Sequence, residues 1–142
     1  MAACSLCDTP AGTVLWQDAS CRVVHVDESD YPGFLRVILN AHVKEMTDLP
    51  VADQAALMRV VFAAEAALRE VLAPDKVNLA SLGNLVPHLH WHVIPRFADD
   101  PHFPNPVWGA RLRDAPHGAP AALESQLAAA LSLRLGRAPG TE

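Results

Sequence analysis

Short apolar runs separated by turns fill the first forty residues, and the period then changes from strand-like to helical. Thr13-Val14-Leu15-Trp16-Gln17-Asp18 and Cys21-Arg22-Val23-Val24-His25-Val26-Asp27 are rich in β-branched residues and separated by a small polar turn, which predicts an opening hairpin. Pro32-Gly33 makes the next turn, and Phe34-Leu35-Arg36-Val37-Ile38-Leu39 is apolar enough to be a third, mostly buried strand. From Val51 to Ala73, residues Ala56, Leu57, Val60, Val61, Ala64, Leu68, Val71 and Leu72 recur at spacings of three and four, one face of an amphipathic helix. Asp48 and Pro50 suit its start and Pro74 its end, because proline lacks the donor that an interior turn needs. Val77-Asn78-Leu79-Ala80 predicts a fourth strand, Ser81-Leu82-Gly83-Asn84 a glycine loop, and His88 to Pro95 a fifth strand. The proline-rich stretch from Asp99 to Pro120 predicts a stiff, irregular loop, and Ala121 to Leu135 a last helix stopped by Gly136. There is no internal repeat. One long helix flanked by strands that can pair through short turns predicts an antiparallel α+β sheet rather than βαβ crossovers.

At 142 residues a single domain is expected, residues 1–142, with any activity carried by one fold. Hydrophobic residues make up 51% and charged residues 19%, which excludes a disordered chain. The net charge of -5, with scattered Lys and Arg, argues against a nucleic-acid groove. It leaves room for a small anion, which needs only a few backbone N–H groups and histidines. The first residues lack the basic region and apolar run of a secretory signal, and no stretch is apolar enough to span a bilayer, so no membrane partner is expected. Three cysteines, an odd number, do not suggest a disulfide framework, and the expected compartment is the cytoplasm.

The chemistry concentrates in His88-Leu89-His90-Trp91-His92. On a strand these three histidines share one face while Leu89, Trp91 and Val93 share the other. Protonated imidazoles placed side by side repel, so such alignment is costly without a purpose. Two readings follow from the residues themselves. The histidines hold zinc, with an open position if the site is catalytic, or one neutral imidazole attacks an electrophile while its neighbours bind charge and fix its tautomer. Spacing does not choose between them.

Gly83-Asn84-Leu85-Val86-Pro87 followed by His88-Leu89-His90-Trp91-His92-Val93-Ile94 resembles the histidine triad family pattern. The resemblance reaches back through Pro32-Gly33-Phe34-Leu35-Arg36-Val37-Ile38 to the hairpin and forward to Pro106-Val107-Trp108, about residues 4 to 110, with residues 119–136 as a C-terminal helical extension. It implies a five-stranded antiparallel sheet with one long central helix, a homodimer, and a nucleotide held beside the triad. His90 would be the nucleophile forming a covalent nucleotidyl-histidine, His92 would hydrogen-bond phosphate oxygens, and His88 would orient its neighbour. Asn84 matches a position where relatives carry a phosphate-contacting glutamine, and Gly83 leads that loop. Asn78 matches a polar residue lining the pocket, and Asp27 is a ribose acceptor or, equally, a solvated strand-end carboxylate. Phe34 departs from the pattern: many relatives have a histidine there, so an apolar wall replaces a polar contact near the nucleoside.

Cys4 and Cys7 form a C-x-x-C, a spacing zinc can bridge with two more ligands. Some branches of the wider family complete such a site at the positions of His42 and His88, which would give a structural zinc that positions His88. The alternative is two small thiols or a frayed end. Cys21 and Trp91 are expected in the core, Trp108 packed on its own fold or else over a nucleoside or at the dimer seam, Arg96 exposed at a strand end or else reaching phosphate, and His25, His102 and His117 at the surface. The leading expectation is a hydrolase of dinucleoside polyphosphates or nucleoside phosphoramidates that needs no metal for chemistry. The alternatives are a metallohydrolase with zinc on the three histidines, which a chelator would abolish, and a non-catalytic nucleotide-binding module.

Overall fold

Strand alternation and helical periodicity sort the side chains onto two faces of one sheet. The computed structural model describes residues 3–116 and 118–137. Strands β1 (Thr13–Gln17), β2 (Cys21–His25), β3 (Leu35–Leu39), β4 (Lys76–Ala80) and β5 (His90–Arg96) pair in the order β1-β2-β3-β5-β4, every neighbour antiparallel. With one long helix and a C-terminal helix, this is the α+β architecture that the sequence predicts. A short helix, α1 (Ser5–Asp8), precedes it and is too brief for any apolar period to announce.

Helix α2 (Val51–Leu72) buries Leu57, Val60, Val61, Ala64 and Leu68 against Val23, Leu35, Val37 and Val93 of the sheet. Each buried leucine or valine contributes about 1.5–3 kcal/mol by leaving water. The helix ends at Ala73, whose left-handed backbone (φ 47) and following Pro74 prevent another turn. Helix α3 (Leu123–Leu135) starts two residues later than expected because Ala122 is also left-handed (φ 63). Its Leu123, Leu127 and Leu131 join the same core.

The other sheet face carries Arg22 and Val24 of β2, Arg36 and Ile38 of β3, and His90, His92 and Ile94 of β5. Register sets Ile38 opposite His90 and Arg36 opposite His92. Leu6 of α1 covers Val24 and Ile38 at one end, and Tyr31 and Phe34 cover Ile94 at the other. Gly33 holds the turn before β3 at φ +92, a backbone conformation that strains any residue with a Cβ, close to Leu72 at the end of α2.

Candidate active site

Strand β5 starts at His90, two residues later than the alternation predicts. Ahead of it the chain turns: the His88 N–H donates to the Val86 carbonyl, and Pro87 has no donor to offer a ladder. Two imidazoles therefore stand together, not three. The His90 and His92 rings lie edge to face with centroids 5.0 Å apart. The His88 ring instead joins His42, with centroids also 5.0 Å apart, and is wholly buried.

What His88 gives His90 is its backbone. His90 Nδ1 donates to the His88 carbonyl, and since a carbonyl only accepts, the proton sits on Nδ1 and the lone pair of the neutral ring on Nε2. His90 is 8% exposed and His92 6%. Burial, with the charges of His90 and Arg36, pushes the His92 pKa down to about 4, and its Nδ1 is buried without a hydrogen-bond partner. Phe34 meets the His92 ring edge-on at 5.7 Å, which makes it the apolar wall that the sequence suggests.

Trp108 also meets His92, at 4.9 Å, yet is 52% exposed and not packed away in its own fold. The loop after β5 holds it there through a group that sequence reading placed wrongly. Arg96 is buried at 2% exposure, not free at the strand end. It donates to Asp100 (2.8 and 3.1 Å), to Asn78 Oδ1 (2.7 Å) and to the Asn105 carbonyl (2.7 Å). Burial alone would raise the Asp100 pKa, but Arg96 and the N–H groups of Phe97, His102 and Phe103 outweigh it and hold the carboxyl at about 2. The i, i+4 spacing of Arg96 and Asp100 is the one sequence signal that could have found this pair.

Asn78 lies on β4 opposite Ile94, and its amide oxygen is engaged by Arg96. Gly83 takes the left-handed conformation (φ +74) that turns the loop, and Asn84 after it is exposed. Asp27, past the end of β2, lines a surface cleft with Gly12, Thr13, His25 and Glu28, to which no triad histidine contributes. His25 is half-buried, its Nδ1 2.9 Å from Glu124 and its Nε2 accepting from the Gly33 N–H. His102 lies 2.6 Å from the Tyr31 hydroxyl, and His117 lies outside the described residues. Cys21 is in the core; Trp91 packs against it, with its indole nitrogen buried and unpartnered.

Cys4, Cys7, His42 and His88 meet at the end of the triad. His88 Nδ1 lies 3.4 Å from both thiols and 3.1 Å from His42 Nδ1, which is itself 3.4 Å from Cys7 Sγ. Bond lengths of about 2.3 Å to sulfur and 2.0–2.1 Å to nitrogen place the donors of a tetrahedral zinc about 3.3–3.8 Å apart. His88 Nε2–H donates to the Leu39 carbonyl (2.6 Å), which leaves the Nδ1 lone pair facing the other donors. The donor set fits zinc. Four protein ligands make a closed, structural shell. Among the described residues, no group able to hold a metal includes His90 or His92.

A family model described as the HIT domain matches residues 10–99, and the chain belongs to that family. A histidine triad protein from Bradyrhizobium japonicum is 30% identical, with a TM-score of 0.71 over 88% of this chain and 91% of that one. A Zn-bound histidine triad family protein from Mycobacterium smegmatis is 25% identical, with a TM-score of 0.66 over 92% and 94%. A Mycobacterium tuberculosis protein named AP-4-A phosphorylase is 31% identical over 87 residues, 57% of this chain and 45% of that protein. The match thus spans less than half the length of this curated relative.

Proposed function

We propose that this protein hydrolyses nucleoside phosphate derivatives through a covalent nucleotidyl-His90, with dinucleoside polyphosphates preferred over nucleoside phosphoramidates. One observation carries the reading: His90 donates from Nδ1 to the His88 carbonyl, so in the neutral ring the lone pair is on Nε2, the nitrogen free to attack. Nε2 attacks phosphorus in line and forms a P–N bond, while the bond to the leaving group breaks and its electron pair departs with that group. Water then attacks the same phosphorus, the P–N bond breaks, and the pair returns to Nε2. His92 is neutral above pH 4 and has one ring N–H to offer a phosphate oxygen. The exposed Asn84 amide on the Gly83 turn is the second donor, and Asn78 and Asp27 complete the proposed substrate-binding set.

Family membership and the relative named AP-4-A phosphorylase support the nucleotide substrate. Zinc on Cys4, Cys7, His42 and His88 would supply cross-linking, fixing the His88 peptide whose carbonyl aims His90. The same reading includes a cytoplasmic homodimer, which light scattering would detect at twice the chain mass.

The direct test is mass spectrometry of protein quenched during turnover of diadenosine tetraphosphate or adenosine phosphoramidate. A nucleotidyl adduct on His90 is expected, along with loss of turnover in His90→Ala. Full turnover by His90→Ala would overturn the mechanism.

A further inference from the structure

Three arginines project from the sheet, and two are saturated. Arg22 donates to the carbonyls of Pro10, Leu6 and Thr9 and to Asn40 Oδ1, and Arg96 is held by Asp100, Asn78 and Asn105. These are structural arginines, and their acceptors show it. Arg36 has no such set. Its Nε is buried with no hydrogen-bond partner, and burial lowers its pKa with no carboxylate opposing the effect among the described residues. An apolar residue would fill this place on β3 without burying an uncompensated charge.

Its position says what it awaits. Arg36 stands opposite His92 on the His90 face, close enough that its charge lowers the His92 pKa. His92 is more than nine-tenths buried and carries its own unpartnered nitrogen, Nδ1. Two orphaned polar groups side by side on the face of the proposed nucleophile define a place for an anion, and guanidinium pairs with phosphate oxygens through two parallel N–H bonds.

We propose that Arg36 binds a second phosphate, adjacent to the one His90 attacks, so that the substrate is an oligophosphate cleaved at a phosphoanhydride bond. This rests on the reading of His90 as nucleophile and narrows its substrate. When the anhydride breaks, negative charge gathers on the departing phosphate, where a guanidinium is most effective. The amine released from a phosphoramidate gives Arg36 nothing to hold.

Calorimetric titration of the whole protein with AMP and with a methylene-bridged ADP analogue tests the role without requiring turnover. Wild type is expected to bind the diphosphate analogue about tenfold or more tighter than AMP, the worth of one charge-assisted hydrogen-bonded pair. Arg36→Leu should bring that ratio close to one, and Arg36→Lys, which keeps charge but not the fork, should lie between. Unchanged circular dichroism of both variants would exclude misfolding as the cause. A ratio that survives Arg36→Leu overturns the proposal, as does a loss that follows the base instead, seen as altered discrimination between AMP and GMP. If a His90 adduct forms while the ratio survives, Arg36 is misassigned and the hydrolase reading stands. If the ratio collapses while no adduct forms, the nucleophile reading falls and the phosphate site remains.

Discussion

His92 and Arg36 each place a polar group where burial opposes its charge, and both should show it in stability. Burial, then the His90 and Arg36 charges, hold the folded His92 pKa at about 4, against 6.5 for an ordinary histidine. Between those values the unfolded chain takes up a proton that the native protein refuses. Stability should therefore be full above pH 6.5, fall as pH drops toward 4, and level off below, a loss of about 3 kcal/mol from this group. Because burial lowers the His88 pKa as well, urea midpoints across that window should slope more steeply in wild type than in His92→Gln; equal slopes would assign the effect elsewhere. Arg36→Leu should stabilise the ligand-free protein by about 1 kcal/mol, because it removes an unpaired, half-buried charge from an apolar surround. A lower unfolding midpoint for Arg36→Leu would mean that the guanidinium has a structural partner after all.

At the level of elements, Asp100 organises the loop after β5 by gathering Arg96 and the N–H groups of Phe97, His102 and Phe103. Asp100→Asn keeps the shape but removes the charge, leaving Arg96 buried without its ion pair. A loss of about 3 kcal/mol is expected by chemical denaturation, with Trp108 emission shifting as the loop loosens over His92. An unchanged Trp108 signal would separate the loop's order from the ion pair. In acid, the same carboxyl should give up its stabilisation between pH 3.8 and 2, below the His92 window. The elements themselves were legible in the sequence because α2 keeps a period of three to four and the strands are short β-branched or apolar runs bounded by turn residues. What escaped has no period. His88 leaves the strand because a turn at Val86 and Pro87 intervenes, α1 is a single turn, and the burial of Arg96 depends on contacts with β4 and the loop that a linear pattern does not contain.

Across the whole molecule, two clusters of side chains gather around the segment that holds α1. Arg22 grips the carbonyls of Leu6, Thr9 and Pro10 around α1, and Cys4 and Cys7 meet His42 beyond β3 and His88 ahead of β5. The arginine cluster is built from the fold alone, whereas the proposed thiol clamp would close only with a metal on its four donors. Cross-linking segments this far apart stabilises the native state in proportion to how strongly the metal prefers it to the unfolded chain. With zinc at about a hundred times its dissociation constant, the gain is about 2.7 kcal/mol, and chelator-treated protein should melt about 6–10 °C lower. Cobalt added in place of zinc should produce thiolate charge-transfer absorption that Cys4→Ser weakens and a Cys4→Ser, Cys7→Ser double variant removes. Because His90 and His92 lie outside the donor set, the His90 adduct should still form in the chelated protein, more slowly as the His88 carbonyl loses its anchor. Unaltered melting together with silent cobalt spectra would leave Cys4 and Cys7 as ordinary thiols. Complete loss of the adduct on chelation, with the fold intact, would instead make the metal a participant in the reaction.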